Sequence, residues 1–190
     1  MTQDLRPFSS LILCRTNESQ DRLKYFTISD SKIAILGADR ETIIYDKRVE
    51  EGNYLVQTDA LLKQGHGFNS DSYRKAMRNV YDVIAATLNT PSGFYVAGQD
   101  SSVVDHALTG EVQIDPDDDI LLMSDGFTRA VDTLNLYPSW TDLLRALKTE
   151  GGEHVIRKIR ETEAADSKGQ KYQRSSPHDD ATLLWLRPGI

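Results

Sequence analysis

Cysteine is almost absent: Cys14 is the only one among 190 residues. That excludes an intramolecular disulfide framework and any structural zinc site built on thiolates. Long apolar runs are missing as well. The purest, Leu11–Cys14 and Ile120–Met123, are four residues each, whereas a membrane-spanning helix needs about 20. Basic residues are in deficit, 22 Lys and Arg against 29 Asp and Glu, for a net charge of −7. A general nucleic-acid binder would need a basic face, so no nucleic-acid partner and no membrane partner is expected. The opening Met1-Thr2-Gln3-Asp4 is polar, without the basic and apolar stretches of a secretory signal, and a cytoplasmic location is the default expectation. Repeats, low-complexity tracts and linkers are lacking too. With 39% apolar residues, a chain of this length can bury a core as one domain over residues 1–190.

Strand signals dominate the first quarter. Leu11–Cys14, Leu23–Ile28, Lys32–Leu36 and Thr42–Tyr45 are short, apolar or β-branched, and separated by polar breaks such as Ser29-Asp30-Ser31. Such spacing predicts antiparallel neighbours. The period then changes. Tyr73, Ala76, Met77, Val80, Tyr81, Ile84 and Leu88 fall at three- and four-residue steps, which predicts a helix from Asp71 to Leu88 capped at Ser70 or Asp71. Two further helices are expected around Trp140–Leu147, capped by Ser139, and from Val155 towards Asp166. The charges over Arg157–Lys168 read as a solvated face. Additional strands are expected at Phe94–Val96, Val112–Ile114, Ile120–Met123 and Ala181–Leu186. Antiparallel strands with clustered helices make an α+β fold.

Two aspartate sites stand at strand ends. Ile120–Met123 runs through Ser124 into Asp125-Gly126, and Asp179-Asp180 precedes the last strand. If those strands are adjacent and antiparallel, Asp125 and Asp179 face each other. Facing carboxylates repel unless a cation or a shared proton lies between them. Oxygen ligands without thiolates suit Mg²⁺ or Mn²⁺. An Asp-Gly after a strand is also an ordinary turn, and Asp-Asp before one an ordinary loop end.

Other sites are set aside. Asp115–Asp119 looks like the start of a calcium loop, but Ile120 stands where glycine is needed and Gly126 where a bidentate glutamate is needed; a solvated turn is the expectation. Leu122–Gly126 is similar to an aspartate-nucleophile phosphatase segment, except that Met123 replaces the required second aspartate. His66 and His154 have no second histidine at ligand spacing.

Taken in order, Ile28-Ser29-Asp30-Ser31-Lys32, Pro116–Gly126 with its Ser-Asp-Gly, and Asp179-Asp180-Ala181-Thr182 resemble the metal-dependent protein phosphatase family. These are the type 2C-like serine/threonine phosphatases (PPM), and the resemblance is to their bacterial branch. It implies an α-β-β-α sandwich of antiparallel sheets with a dinuclear Mg²⁺ or Mn²⁺ centre. There a metal-bound hydroxide attacks a phosphoserine or phosphothreonine of a phosphoprotein substrate, and no protein nucleophile is needed. By the same resemblance, Asp125 and Asp179 match metal ligands, Asp30, Gly126 and Asp180 are supporting residues, and Arg129 is a candidate phosphate contact.

The departures from the family pattern shape the expectation. Its early metal-bridging Asp-Gly has no counterpart, since only Asp4 and Asp21 precede Asp30 and neither is followed by glycine. Ser29 replaces a usual glycine, and Arg129 a usual aspartate. The chain thus reads as the C-terminal portion of the family fold, N-terminally truncated. Either it works as a phosphatase with a complementing chain that supplies the missing motif, as half of a split enzyme, or it is a catalytically inactive binding or regulatory module.

Overall fold

A computed structural model of the chain describes residues 8–98 and 100–188; the polar N-terminal tetrapeptide lies outside them. Two antiparallel sheets, flanked by helices, organise the fold. The first comprises β1 (Leu11–Thr16), β2 (Arg22–Ile28) and β5 (Leu108–Gln113), in the order β1-β2-β5. The second has the order β4-β3-β6-β7, from β3 (Lys32–Leu36), β4 (Glu41–Ile44), β6 (Asp119–Met123) and β7 (Leu183–Leu186). The α+β architecture read from the sequence is the one observed.

The helices are α1 (Arg48–Glu51), α2 (Val56–Lys63), α3 (Asp71–Thr87), α4 (Asp125–Asp132), α5 (Trp140–Glu150) and α6 (Gly152–Ala165), with a 3₁₀ helix at Ser101–His106. All five residues of β3 are buried, because that strand has sheet on one face and helices on the other. Leu23, Ile33, Ile35, Ile114 and Ile120 fill the space between the sheets. On the far face of the second sheet, Ala34, Leu36, Leu121 and Met123 meet Phe127, Leu143, Leu147, Val155 and Ile159 from α4, α5 and α6. Helices α2 and α3 share a smaller core of Leu62, Phe68, Tyr73, Met77 and Val80.

Several expectations are corrected. Leu23–Ile28 and Lys32–Leu36 are not antiparallel neighbours: β2 pairs with β1 and β5, whereas β3 pairs with β4 and β6. The chain changes sheets at Ser29–Ser31, and Ser29 takes a left-handed φ of 72° to do so. That conformation costs a non-glycine residue roughly 1 kcal/mol or more, which accounts for the resemblance to a glycine position. Phe94–Val96 forms no strand; Ala97 alone makes a bridge, to Ser9. Helices α1, α2 and α4 were not expected, being too short to establish a period.

The acidic turn leading into β6 is solvated only at its start, where Asp115, Pro116 and Asp117 are exposed. Asp118 and Asp119 are each 2% exposed, and Asp119 is held by Trp185 Nε1 at 2.7 Å, Arg187 Nε at 2.9 Å and Lys148 Nζ at 2.6 Å. The charged face expected along α6 is interrupted by Glu163, at 1% exposure. Cys14 is half-buried in β1, and burial pushes its thiol up to about 11, consistent with an inert side chain. Among the described residues no helix is long and apolar enough to cross a membrane.

Candidate functional site: an acidic cluster at the end of the second sheet

Strands β6 and β7 are adjacent and antiparallel, with Met123 opposite Leu183. The end of one therefore meets the approach to the other. Ser124 stitches them: its N–H donates to the Thr182 carbonyl at 3.1 Å, its Oγ donates to the Asp180 carbonyl at 3.0 Å, and that Oγ accepts from the Thr182 N–H at 3.0 Å. With its hydroxyl so committed, Ser124 begins α4 without a side-chain cap. Asp125 follows in the first turn, where a carboxylate is favoured by the helix dipole. Gly126 is required sterically. A Cβ there would stand 2.3 Å from the Asp180 carbonyl oxygen and 3.1 Å from Asp179 Cβ, so the segment 179–180 packs directly on the start of α4.

Asp30 enters from the crossover between β2 and β3 and lines, with Asp125 and Arg129, a cavity of about 320 Å³. Burial raises the Asp125 carboxyl, and the charges of Asp30 and Asp179 raise it further, up to about 6. Burial also raises Asp30, with Asp179 again contributing. Asp30, Asp125 and Asp179 are thus brought within one electrostatic neighbourhood. Asp180 points away: it is exposed, and its backbone N–H donates to Asp179 Oδ1 at 3.1 Å.

Arg129, one turn beyond Asp125 on α4, lines the same cavity at only 6% exposure. Its Nη1 donates to Glu163 Oε1 at 2.8 Å, and its Nη2 to Asp179 Oδ2 at 2.6 Å and Ser176 Oγ at 3.1 Å. Glu163 is saturated: its other oxygen pairs with Arg160 Nη1 at 2.7 Å and His178 Nδ1 at 3.0 Å. Burial alone would raise Glu163, but the hydrogen bonds from His178, Arg160 and Arg129 outweigh it and hold the carboxyl below its ordinary range. Arg160 also donates to the Asp179 carbonyl, so α6 grips the segment that carries Asp179. Lys32, on β3, pairs with Glu50 at 3.1 Å and Asp132 at 3.0 Å and lies 4.2 Å from the Tyr45 ring centroid.

Sequence reasoning missed Glu163, Arg160, Lys32 and Ser176. Only the i,i+3 placement of Arg160 and Glu163 on one helix was a visible signal, and it is indistinguishable from a surface pair until α6 is docked.

Among the described residues, no three or more His, Cys, Asp or Glu side chains gather so that they could hold a metal ion. Arg129 already takes one oxygen of Asp179, while Mg²⁺ asks for about six oxygens in near-octahedral array. The described residues do not, by themselves, fit a dinuclear Mg²⁺ or Mn²⁺ centre.

No protein-family model matches the chain, and no curated protein does. Solved structures do. The serine/threonine phosphatase PstP/Ppp of Mycobacterium tuberculosis aligns at 14% identity and a TM-score of 0.44, covering 93% of this chain and 58% of that one. The PPM phosphatase MsPP of Mycobacterium smegmatis, in complex with cacodylate, aligns at 15% identity and a TM-score of 0.45, over 98% of this chain and 65% of that one. The PstP catalytic domain in complex with two manganese ions aligns at 16% identity and a TM-score of 0.43, over 94% and 57%. The chain spans somewhat more than half the length of these neighbours.

Proposed function

We propose that the chain forms one phosphatase-like domain of the metal-dependent serine/threonine class, acting on phosphoproteins. In this reading Asp125 and Asp179 are the Mg²⁺ or Mn²⁺ carboxylates, and Asp30, Gly126 and Asp180 support them. The observation that carries it is the stitching of β6 to β7 through Ser124 and Gly126, which fixes Asp125 beside the Asp179 segment, with Asp30 delivered to the same cavity from a distant turn. Asp30 and Asp125 line that cavity, the Asp179 charge raises both, and carboxylates so placed favour added positive charge. Because the described carboxylates do not complete a dinuclear centre, hydrolysis on this reading requires a further carboxylate, which a complementing chain would supply. Arg129 contributes a different function: anchored through Nη1 by Glu163, it can turn Nη2 from Asp179 and Ser176 to an incoming phosphoryl oxygen.

A second reading is favoured by one specific contact. The Arg129–Asp179 ion pair places a guanidinium on a carboxylate that the first reading assigns to metal. A domain whose acidic cluster is neutralised internally would serve as a catalytically inactive binding or regulatory module.

Metal-linked stability and hydrolysis separate the two. On the first reading, Mn²⁺ raises the melting temperature of the wild type by mass action, the rise disappears in Asp125→Ala, and any Mn²⁺-dependent hydrolysis of p-nitrophenyl phosphate is lost in Asp125→Ala and Asp179→Ala. Equal turnover in wild type and both variants overturns the site assignment. A melting temperature indifferent to Mn²⁺ overturns the metal assignment of Asp125 and Asp179 in this chain and favours the second reading.

A further inference from the structure

Beside the acidic cavity lies a second one, of about 520 Å³, between the segment 49–59 and one face of α3. Its apolar walls include Tyr54, Met77, Val80, Ile84 and Phe94, with the Tyr54 and Phe94 rings edge to face at 5.8 Å. The rim carries Val56 and Tyr81, 65% and 61% exposed. Five residues, Asp30, Val49, Glu50, Leu55 and Ser175, line both cavities, so a ligand in one continues into the other.

The charge of this groove is one-sided. Asp30, Glu50 and Asp59 line it, and no Lys, Arg or His does. Glu50 is committed to Lys32 and to the Tyr45 hydroxyl, and Asp30 accepts from Ser29 Oγ at 3.3 Å. Asp59 differs: its Oδ1 is buried and has no hydrogen-bond partner. A buried acceptor without a donor is costly, and the cost is recovered by whatever ligand brings the donor. The occupant that satisfies every wall has an apolar stem and a cationic tip. An uncharged aliphatic side chain would cover Tyr54, Met77 and Tyr81 but leave Asp59 unpaired, and an acidic one would be repelled. Lysine and arginine combine both properties.

We propose that this groove receives a Lys or Arg side chain flanking the phosphorylated residue of a phosphopeptide substrate, with its stem on Tyr54, Met77 and Tyr81 and its charge on Asp59. The inference rests on the phosphoprotein reading above and adds to it a preference for basic sequence context.

The test is direct binding, by fluorescence anisotropy, of synthetic phosphothreonine peptides in which one lysine is walked through the flanking positions of an otherwise alanine-rich sequence. Each peptide is also made unphosphorylated. Lysine at one or two positions is expected to tighten binding roughly three- to tenfold, the range for a partly desolvated ion pair. Asp59→Asn should abolish that preference. Asp82→Asn, which removes an exposed acid from α3 outside the groove, should retain it. Tyr81→Ala should weaken every lysine peptide that the wild type prefers. Lack of a lysine preference, or one that survives Asp59→Asn, overturns the inference. The phosphate arm reads the parent proposal separately: a phosphate-dependent affinity without lysine preference leaves that proposal standing and removes this one. An Asp59-dependent lysine preference without any effect of phosphate overturns the phosphopeptide reading and retains only the Lys or Arg site at Asp59, and the absence of any binding overturns both.

Discussion

Glu163 and Asp125 are two withdrawn acids within the influence of the same arginine, and the protein treats them in opposite ways. Glu163 is surrounded by donors: Arg129, Arg160 and His178 saturate both oxygens and keep it ionised below its ordinary range. Asp125 sits among acids, and burial with the nearby charges of Asp30 and Asp179 lifts it to about 6. The difference lies in what the neighbouring elements carry. Arg160 on α6, Arg129 on α4 and His178 bring donors to Glu163, whereas the β2–β3 crossover and the segment before β7 bring more carboxylates to Asp125. A saturated buried acid is a structural joint, and an undersupplied one is a place with capacity to bind.

The strongest way to break that contrast is to empty the joint. Glu163→Ala strands Arg129 and Arg160 without their shared partner and is expected to lower unfolding free energy by about 3–5 kcal/mol, measured by denaturant titration. A loss below about 1 kcal/mol would show that the network is not structural.

Asp119 provides a second saturated acid, remote from the cluster. Burial would raise it, but hydrogen bonds from Lys148, Arg187 and Trp185 outweigh this and depress its carboxyl. For a depressed acid, the stabilisation is fully present above the unfolded value of about 3.9 and is lost as pH falls through the folded value. Asp119→Asn should therefore cost about 1–3 kcal/mol at pH 7. The difference from wild type should close in acid, as pH falls through the depressed folded value, as seen in unfolding curves collected across pH.

Asp125 should respond with the opposite sign. Its folded value of about 6 exceeds the unfolded one, so ionisation penalises the folded state progressively as pH rises from about 4 through about 6. In EDTA at pH 7.5, Asp125→Asn is expected to stabilise by about 1–2 kcal/mol, a few degrees in melting temperature, with the gain gone near pH 3.5. Destabilisation by Asp125→Asn would place this residue with the structural acids and remove the contrast.

The smallest effect marks the limit of counting ion pairs. Arg145 pairs with Asp142 at 2.5 Å, but the arginine side chain is 69% exposed. Surface pairs contribute little, and Arg145→Ala should leave the melting temperature unchanged within error.

Much of the fold was legible in the chain. The helix over residues 71–87, capped by Ser70 through its bond from the Tyr73 N–H, follows from apolar spacing and a cap, both local properties. The ends of β6 and β7 were legible because an apolar run and its polar boundaries mark strand ends, while their pairing, posed as a condition, is supplied by the structure. The placement of β2 and β3 in separate sheets was not. Polar breaks of three residues occur equally in hairpins and crossovers, and the left-handed Ser29 that distinguishes them is a tertiary outcome. Asp118, Asp119 and Glu163 were misread for a related reason, since acidic residues in a row look solvated until the arginines and lysines that bury them arrive from elsewhere in the chain.

What the sequence by itself determined is the set of carboxylates at element ends and the lack of thiolates, histidine pairs and basic stretches, because residue type and local period need no partner. Only the tertiary structure decided which acids are satisfied. Arg129, Arg187 and Lys148 reach their acids across helices and sheets, and the strength of a buried charge pair depends on distance and desolvation that no spacing along the chain encodes.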